Sequence, residues 1–289
     1  MPELQPKLID YYDTHPINEH EILAKLSARG DDLERLSQAQ LRDFDQDHYG
    51  GTDAVDVLAD AAGIDKTTAV LDVCCGLGGP ARWLAYTRHC SVTGLDLTQS
   101  RIESARRLSE RVGLSKEVQF RQGDACAMPF ANAQFDVVIG QEAWVHIPDK
   151  AALIAECRRV LRVGGRLSFT DIVERSPLLA AERNQMAEEM QFARIFSPAR
   201  YHELLWSSGF DVAVSEDLSE RWTQILKSRL QMYLSLRDTT VARFGQAHHD
   251  HWARMYGDFV ALYEQGKLGG LRILAHARGL ATASAQPSS

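Results

Sequence analysis

The chain of 289 residues lacks the features that mark membrane, secreted and nucleic-acid-binding proteins. No apolar run approaches the roughly 20 residues that a transmembrane helix needs. The first residues lack the basic start and apolar core of a secretory signal. The net charge is −7 and the arginine pairs are scattered, so no basic surface suited to a phosphate backbone is indicated. We therefore expect neither a membrane nor a nucleic acid as partner.

Cysteine is also scarce, and the five residues show no C-x-x-C spacing of the kind that zinc and redox sites use. Scattered free thiols are typical of a reducing compartment, which favours a cytoplasmic protein. His248, His249 and His251 lie close together, but no acidic or cysteine partner is spaced to complete a metal site, so we expect no metal. The remaining composition, 45% hydrophobic and 25% charged, is that of an ordinary globular protein.

The middle of the chain alternates short apolar runs with amphipathic stretches, which predicts a parallel α/β sheet. A capping box of Ser100 and Glu103 predicts a helix start, and Gly164-Gly165 predicts the end of the next helix. Long helical patterns are expected at 220–243 and 247–265. The predicted strands lie at 69–73, 91–95, 118–120, 135–139, 166–172, 210–214 and 271–275.

Three carboxylates follow the first three predicted strands: Asp72, Asp96 and Asp124. Ligands of open parallel sheets bind outside the carboxyl ends of the strands. Because parallel strands end at the same edge of a sheet, we expect these three side chains to lie around one ligand. They are the main indication of a site.

The turn after the first strand, Gly76-Leu77-Gly78-Gly79-Pro80-Ala81, satisfies the relaxed G-x-G-x-x-G/A pattern of dinucleotide-binding folds. Asp96 follows at the distance expected of a ribose-binding acid, so a nicotinamide-dependent oxidoreductase is one interpretation. Charge argues against it, since a carboxylate at Asp72 would repel a pyrophosphate at this turn. The same carboxylate would pair with the ammonium group of a ligand that ends in an amino acid.

Four segments together resemble the successive motifs of class I S-adenosylmethionine-dependent methyltransferases. They are Val70-Leu71-Asp72-Val73-Cys74-Cys75-Gly76-Leu77-Gly78-Gly79, Gly94-Leu95-Asp96, Gly123-Asp124-Ala125 and Phe135-Asp136-Val137-Val138. The resemblance runs from about residue 68 to 172 with the spacing of the family. It implies a Rossmann-like sheet of seven mostly parallel strands with the last strand antiparallel, and S-adenosylmethionine as the cofactor.

The resemblance also implies which residues contact that cofactor. Asp72 would bind the amino group of the methionine end, Asp96 the ribose hydroxyls and Asp124 the adenine. The other implied contacts are Cys74, Gly76, Gly78, Leu97, Ala125 and Gln141.

Cys74 departs from the family pattern, which usually has glycine two places after the first acid. If the position requires a positive φ or a close approach of the backbone to the ligand, cysteine is strained there. We expect an altered cofactor affinity rather than a lost site.

The segment 141–149 is similar to the one that follows the fourth strand in small-molecule methyltransferases. These include sarcosine/dimethylglycine N-methyltransferases and sugar O-methyltransferases of antibiotic pathways. His146 in this segment is the candidate general base, and its alternative role is a hydrogen bond that fixes the local turn.

Aromatic residues supply the remaining candidates. Trp144 and Tyr49 are candidate substrate contacts, Trp144 because it stands next to the presumed methyl donor. Tyr49 is proposed because the N-terminal segment of this subgroup folds over the site, and Tyr11 and Tyr12 are candidates for binding the cofactor carboxylate.

The chain divides into four predicted parts. Residues 1–52 form a helical N-terminal lid and 53–175 the S-adenosylmethionine-binding Rossmann-like core. Residues 176–278 supply the last strands with an inserted helical substrate cap, and 279–289 form a tail that we expect to be disordered.

The sequence thus predicts a methyltransferase that acts on a nitrogen or oxygen of a small metabolite, with an amine favoured. Two alternatives remain: a nicotinamide-dependent oxidoreductase and a catalytically silent protein that only binds S-adenosylmethionine. We expect a small-molecule substrate and a monomer or homodimer.

Overall fold

The computed structural model describes residues 4–13, 15 and 17–279, and it is built around one seven-stranded sheet. The strands are β1 (Ala69–Val73), β2 (Ser91–Asp96), β3 (Val118–Gln122), β4 (Phe135–Gln141), β5 (Leu161–Glu174), β6 (Phe210–Asp217) and β7 (Leu268–Ala277). Their order is β3-β2-β1-β4-β5-β7-β6. Strands β1 to β5 pair in parallel, and β7 is antiparallel to both β5 and β6. The predicted sheet, with its antiparallel last strand, is confirmed.

Helices cover both faces of the sheet. Those of the described residues are α1 (Leu4–Asp13), α2 (Glu19–Arg29), α3 (Gln38–Leu41), α4 (Gly51–Ala61), α5 (Gly79–Arg88), α6 (Gln99–Arg111), α7 (Lys150–Val160), α8 (Ala180–Glu189), α9 (Pro198–Ser207), α10 (Ser219–Ser235), α11 (Arg237–Phe244) and α12 (Gln246–Glu264). A short 3-10 turn, Trp144–His146, lies between β4 and α7. None of these helices is long and apolar enough to cross a bilayer.

The central strands are apolar on both faces because successive side chains point to opposite sides of a sheet. In β1, Leu71 packs into a core with α7 and α9, while its neighbour Val70 packs on the other face, below α4, α5 and α6. In β4, Val138 and Val137 divide between the two faces in the same way. Because β1 to β5 are parallel, their carboxyl ends lie at the same edge of the sheet.

Two predicted helix boundaries are wrong. The residue before α6 is Thr98, and the Ser100 hydroxyl donates to Asp13 of the N-terminal segment instead of closing a capping box with Glu103. Helix α7 ends at Val160 and runs directly into β5, so Gly164-Gly165 lies inside that strand. In both places a contact distant in sequence decides the local structure.

Helices outside the regular alternation precede β1 and lie between β5 and β7. Between β6 and β7 the single pattern predicted at 220–243 is divided into α10 and α11 at Leu236. Helix α10 packs with α8 and α12 around buried Trp222, Met255 and Phe259. Most of the tail predicted to be disordered, 280–289, lies outside the described residues.

Candidate active site

The turn after β1 is held against the end of β2 by backbone hydrogen bonds. The N–H groups of Cys74 and Cys75 donate to the Leu95 carbonyl over 2.7 and 3.0 Å. Asp96 accepts from Gly76 N at Oδ2 and from Thr98 N at Oδ1, each over 2.9 Å. The Asp96 carboxylate is therefore oriented through both oxygens and retains a lone pair on each for a ligand.

Asp72 lies beside this carboxylate at the end of β1 and is 3% exposed. Its Oδ2 has no hydrogen-bond partner. Burial, with the nearby charge of Asp96, raises the pKa of Asp72 to about 7. A buried carboxylate oxygen without a partner is costly, and the position suits a cationic ligand group such as the ammonium of a methionine end.

Gln141 at the end of β4 meets the loop that precedes α4. Its Nε2 donates to His48 Nδ1 over 3.1 Å, and His48 Nε2 in turn faces Gln46 Oε1 at 2.9 Å. Burial lowers the pKa of His48 to about 4, so the ring is neutral. Gln141 Oε1 is buried without a partner. It is a second free acceptor on the side where the methionine end is predicted.

The third predicted acid begins the loop after β3. Asp124 Oδ1 accepts from Cys126 N over 2.8 Å, which orders this loop around Ala125. Leu97, beyond β2, accepts from Gln122 Nε2 over 3.1 Å through its carbonyl. These residues lie on the side of Asp96 away from β4, and their cofactor contacts stay predictions.

Two positions of the glycine turn show how tightly the site is enclosed. A Cβ on Gly78, whose φ is +75°, would lie 2.5 Å from the Phe120 ring. A Cβ on Gly79 would lie 2.1 Å from the Asp45 carbonyl oxygen of the N-terminal segment. Cys74 itself has a φ of +65°, the left-handed conformation that the sequence comparison with the family led us to suspect.

His146 ends the 3-10 turn and bonds through both ring nitrogens. Nδ1 lies 3.0 Å from the Gln191 carbonyl oxygen, and Nε2 lies 3.0 Å from the Tyr12 hydroxyl. Because a carbonyl only accepts, Nδ1 carries the proton and Nε2 offers a lone pair to Tyr12. Burial, with the charge of Lys150, lowers the pKa of His146 to about 4. The ring is a neutral acceptor whose lone pair points at the N-terminal segment.

Tyr49 is placed by contacts from both sides of the site. Its N–H donates to Glu142 Oε2 over 2.5 Å, and its ring packs edge-on against Trp222 at 5.0 Å. The Arg229 guanidinium lies 4.9 Å from the centre of the same ring and donates to the His48 carbonyl over 2.9 Å. Tyr49 is thus enclosed between β4 and α10.

Glu142 is a candidate site residue that the sequence reasoning did not identify. Burial raises its pKa to about 7, Thr170 Oγ1 donates to its Oε1 over 2.6 Å, and its φ is +52°. Strained backbone at a buried acid is typical of functional sites. The available signal was its position directly after Gln141 at a strand end.

Trp144, the candidate substrate contact of the 3-10 turn, lies in the core. Its side chain is fully buried and stacks on Phe169 with 4.3 Å between ring centres. Its indole also lies against Gly140, where a Cβ would be 2.6 Å from Nε1. Its Nε1 is buried without a hydrogen-bond partner, and its role as a substrate contact stays a prediction.

The three cap histidines do not form a metal site. No group of three or more His, Cys, Asp or Glu within the described ranges is arranged to hold an ion. The buried ring of His249 instead stacks on Tyr233 with 5.1 Å between centres.

The strand order and the three acids define the class. A dinucleotide-binding sheet runs 3-2-1-4-5-6 with all strands parallel, whereas here an antiparallel β7 is inserted between β5 and β6. This is the class I methyltransferase fold. A family model described as "Methyltransferase domain" matches residues 71–169, and this part of the chain belongs to that family.

Relatives agree with this assignment. Sterol 24-C-methyltransferase ERG6B of Gibberella zeae is 32% identical over 214 residues, 68% of this chain and 54% of that protein. Glycine/sarcosine/dimethylglycine N-methyltransferase of Actinopolyspora halophila is 29% identical over 195 residues, 67% of this chain and 34% of that protein. The chain spans about half the length of the first curated relatives that it matches.

Solved structures share the fold. Phosphoethanolamine N-methyltransferase 2 of Haemonchus contortus, crystallised with S-adenosylmethionine, superposes with a TM-score of 0.76 at 20% identity. The match covers 93% of this chain and 60% of that chain. Members of the family use S-adenosylmethionine, and the free oxygens of Asp72 and Gln141 fit the polar methionine end of that molecule.

Proposed function

We propose that this protein is an S-adenosylmethionine-dependent methyltransferase that methylates a nitrogen or oxygen of a small metabolite, with an amine favoured. The observation that carries the proposal is the buried, unpartnered Asp72 Oδ2 beside the oriented Asp96 carboxylate. When bound, S-adenosylmethionine supplies an electrophilic methyl group for in-line displacement, a reaction in which positioning contributes most of the rate.

Residues at the ends of three strands each bind a different part of S-adenosylmethionine. Asp72 pairs with the ammonium group, Asp96 accepts from the ribose hydroxyls, and Asp124 with Ala125 holds the adenine. The loop that carries His48 and Tyr49 covers this edge through its contacts with Gln141 and Glu142. Excluding water in this way strengthens the electrostatic interactions within the site.

His146 is assigned the role of proton acceptor. The hydrogen bond to the Gln191 carbonyl fixes the proton on Nδ1 and leaves Nε2 free to accept. An acceptor N–H or O–H that replaces the Tyr12 hydroxyl, or donates to it, can pass its proton towards Nε2. The low pKa keeps the ring neutral until that transfer.

Three observations support an amine acceptor. Glu142 places a carboxyl beside the Tyr49 backbone, where it can pair with a cationic amine. The net charge of −7 favours approach of a cation. The Actinopolyspora relative is named for nitrogen substrates.

The first test is calorimetric titration with S-adenosylmethionine and S-adenosylhomocysteine, followed by detection of S-adenosylhomocysteine released with panels of amines, alcohols and sterols. We expect binding of both ligands and turnover with an amine or alcohol. Turnover with sterols alone would overturn the nitrogen or oxygen assignment. Binding without turnover on any panel would favour the silent protein, and binding of NAD instead would favour the oxidoreductase.

The second test addresses His146. We expect His146→Gln to lower kcat by about 10²–10⁴-fold and to leave the Kd for S-adenosylmethionine within about threefold, a change of less than 1 kcal/mol. His251→Gln, the same change on the exposed face of α12, is the matched control. Equal kcat values for both variants would remove His146 from the mechanism.

A further inference from the structure

A buried ion pair lies directly beneath the turn that carries His146. Lys150 Nζ, from the first residue of α7, is 3.9 Å from Asp171 Oδ2 in β5, and both side chains have 0% exposure. Burial lowers the pKa of Lys150 and raises that of Asp171, while the attraction between the two charges opposes both shifts. Neither residue is among the predicted cofactor contacts.

The pair bonds the backbone on both sides of His146. Lys150 Nζ donates to the Trp144 carbonyl and lies 3.5 Å from the Ile147 carbonyl. Asp171 Oδ1 accepts from Val145 N over 3.2 Å. The residues before and after His146 are therefore held by two side chains from α7 and β5.

A further side chain fixes the acid. The buried Tyr201 hydroxyl, on α9, donates to Asp171 Oδ2. The Asp171 carboxylate thus has a partner on each oxygen besides Lys150. The network joins β5, α7 and α9 to the 3-10 turn.

Lys150 and Asp171 both occupy positions where a charged side chain is unfavourable. Lys150 occupies the first turn of a helix, where the dipole disfavours a cation. Asp171 interrupts a fully buried stretch of β5. A buried ion pair adds little stability over an apolar pair of the same size. The pair is therefore better explained by its hydrogen bonds to the backbone around His146 than by a contribution to stability.

We propose that Lys150 and Asp171 are positioning residues that hold the Trp144–His146 turn so that the Nε2 lone pair of His146 faces Tyr12 and the strand ends. The proposal rests on the proposed function, in which His146 accepts the proton of the methyl acceptor. It has a geometric consequence that can be measured without any acceptor: the imidazole is held as a single tautomer.

The experiment compares Lys150→Met with Lys227→Met in the full chain. Lys227 makes a half-exposed 2.7 Å ion pair between α10 and α12 with Glu264, so it is a matched control for the loss of a lysine charge. The readout is the ¹⁵N long-range correlation spectrum of the histidine rings, with the His146 signals assigned by their absence in His146→Gln. Melting curves and calorimetric titration with S-adenosylmethionine show whether each variant is folded.

We expect the wild type and Lys227→Met to show a neutral His146 with its proton on Nδ1, and Lys150→Met to lose this single-tautomer pattern. Its kcat should fall at least about tenfold, as expected when a reacting group is displaced, with the Kd for S-adenosylmethionine within about threefold. A folded Lys150→Met with the wild-type His146 spectrum and kcat would overturn the proposal.

If Lys150→Met does not fold, Lys150→Met/Asp171→Leu decides, because it removes both charges and leaves none uncompensated. The same loss of the tautomer pattern is expected, and its retention would overturn the proposal. A His146→Gln variant with full turnover would instead remove the proposed catalytic role, while the spectra would still test the positioning.

Discussion

The cofactor side and the acceptor side of the candidate site are built in different ways. On the cofactor side, the turn after one strand is hydrogen-bonded to the end of the next strand, as where Gly76 N–H donates to Asp96. On the acceptor side, His146 depends on Tyr12 and Gln191, which lie 134 and 45 residues away in sequence. The cofactor side is therefore specified by short motifs, and the acceptor side by tertiary packing.

One ion pair joins the N-terminal segment to the glycine turn. Arg82 on α5 bonds Asp45 over 2.9 Å with neither side chain exposed, and its Nη1 donates to the Leu77 carbonyl over 2.7 Å. The Asp45 backbone lies against Gly79. Stability and enclosure of the cofactor edge thus depend on the same residues.

Breaking this connection should give the largest effect. Arg82→Met leaves the buried Asp45 carboxylate uncompensated, so we expect the free energy of unfolding to fall by about 3–5 kcal/mol, measured by urea denaturation. Arg88→Met, on α5 like Arg82, removes a partly exposed 2.8 Å pair with Asp60 of α4 and should cost less than about 1 kcal/mol. Equal losses would show that the buried pair has no special role.

The second effect concerns the cofactor side alone. Asp96→Ala removes the acceptor for the ribose hydroxyls and for Gly76 N and Thr98 N together. We expect the Kd for S-adenosylmethionine to rise about 100-fold, roughly 2.7 kcal/mol. Calorimetry on Asp238→Ala, an exposed aspartate on α11, should show no change. An unchanged Kd in Asp96→Ala would disconnect this acid from the cofactor.

The same contrast explains what could be predicted from the sequence. The strands, the positions of Asp72 and Asp96 and the concern about Cys74 all follow from residues within a few positions of one another. Contacts between distant segments could not be foreseen. The bond from Ser100 to Asp13 displaces the predicted capping box, and stacking on Phe169 buries Trp144.

Two further residues show where a sequence signal existed but was ambiguous. Asp171 in an apolar strand requires a partner, yet nothing in the sequence identifies Lys150 as that partner across 21 positions of chain. Glu142 follows Gln141 at a strand end, but only the contact with Tyr49 distinguishes it from a solvent-exposed acid. Which residue pairs with a buried acid depends on how distant segments pack in the folded protein.

The third prediction is the pH dependence of cofactor binding. With a pKa of about 7, the Asp72 carboxyl is largely protonated at pH 6 and ionised at pH 8. Only the ionised form pairs with an ammonium group, so we expect about tenfold tighter binding of S-adenosylmethionine at pH 8 than at pH 6. Asp72→Asn should bind weakly at both values. A wild-type Kd that is equal at both pH values would contradict this assignment.

The same group affects the stability of the free protein with the opposite sign. The pKa of Asp72 is raised on folding, so the folded state binds more protons than the unfolded state between about pH 4 and 7. The free energy of unfolding should therefore fall as the pH rises through that window. Asp72→Asn should reduce this slope and leave the part due to Glu142, whose pKa is also raised to about 7.

The smallest effect tests the one strained position in the cofactor turn. Cys74 has a φ of +65°, which costs a residue with a Cβ about 1–2 kcal/mol, while glycine loses about 0.5–1 kcal/mol more entropy than alanine on folding. Cys74→Gly and Cys74→Ala both remove the thiol and its packing against the core, so the difference between them isolates the strain. We expect the glycine variant to be more stable than the alanine variant by up to about 1 kcal/mol in urea denaturation. If alanine is equal or better, the turn tolerates a Cβ without strain, and cysteine at this position has no energetic consequence for the cofactor side.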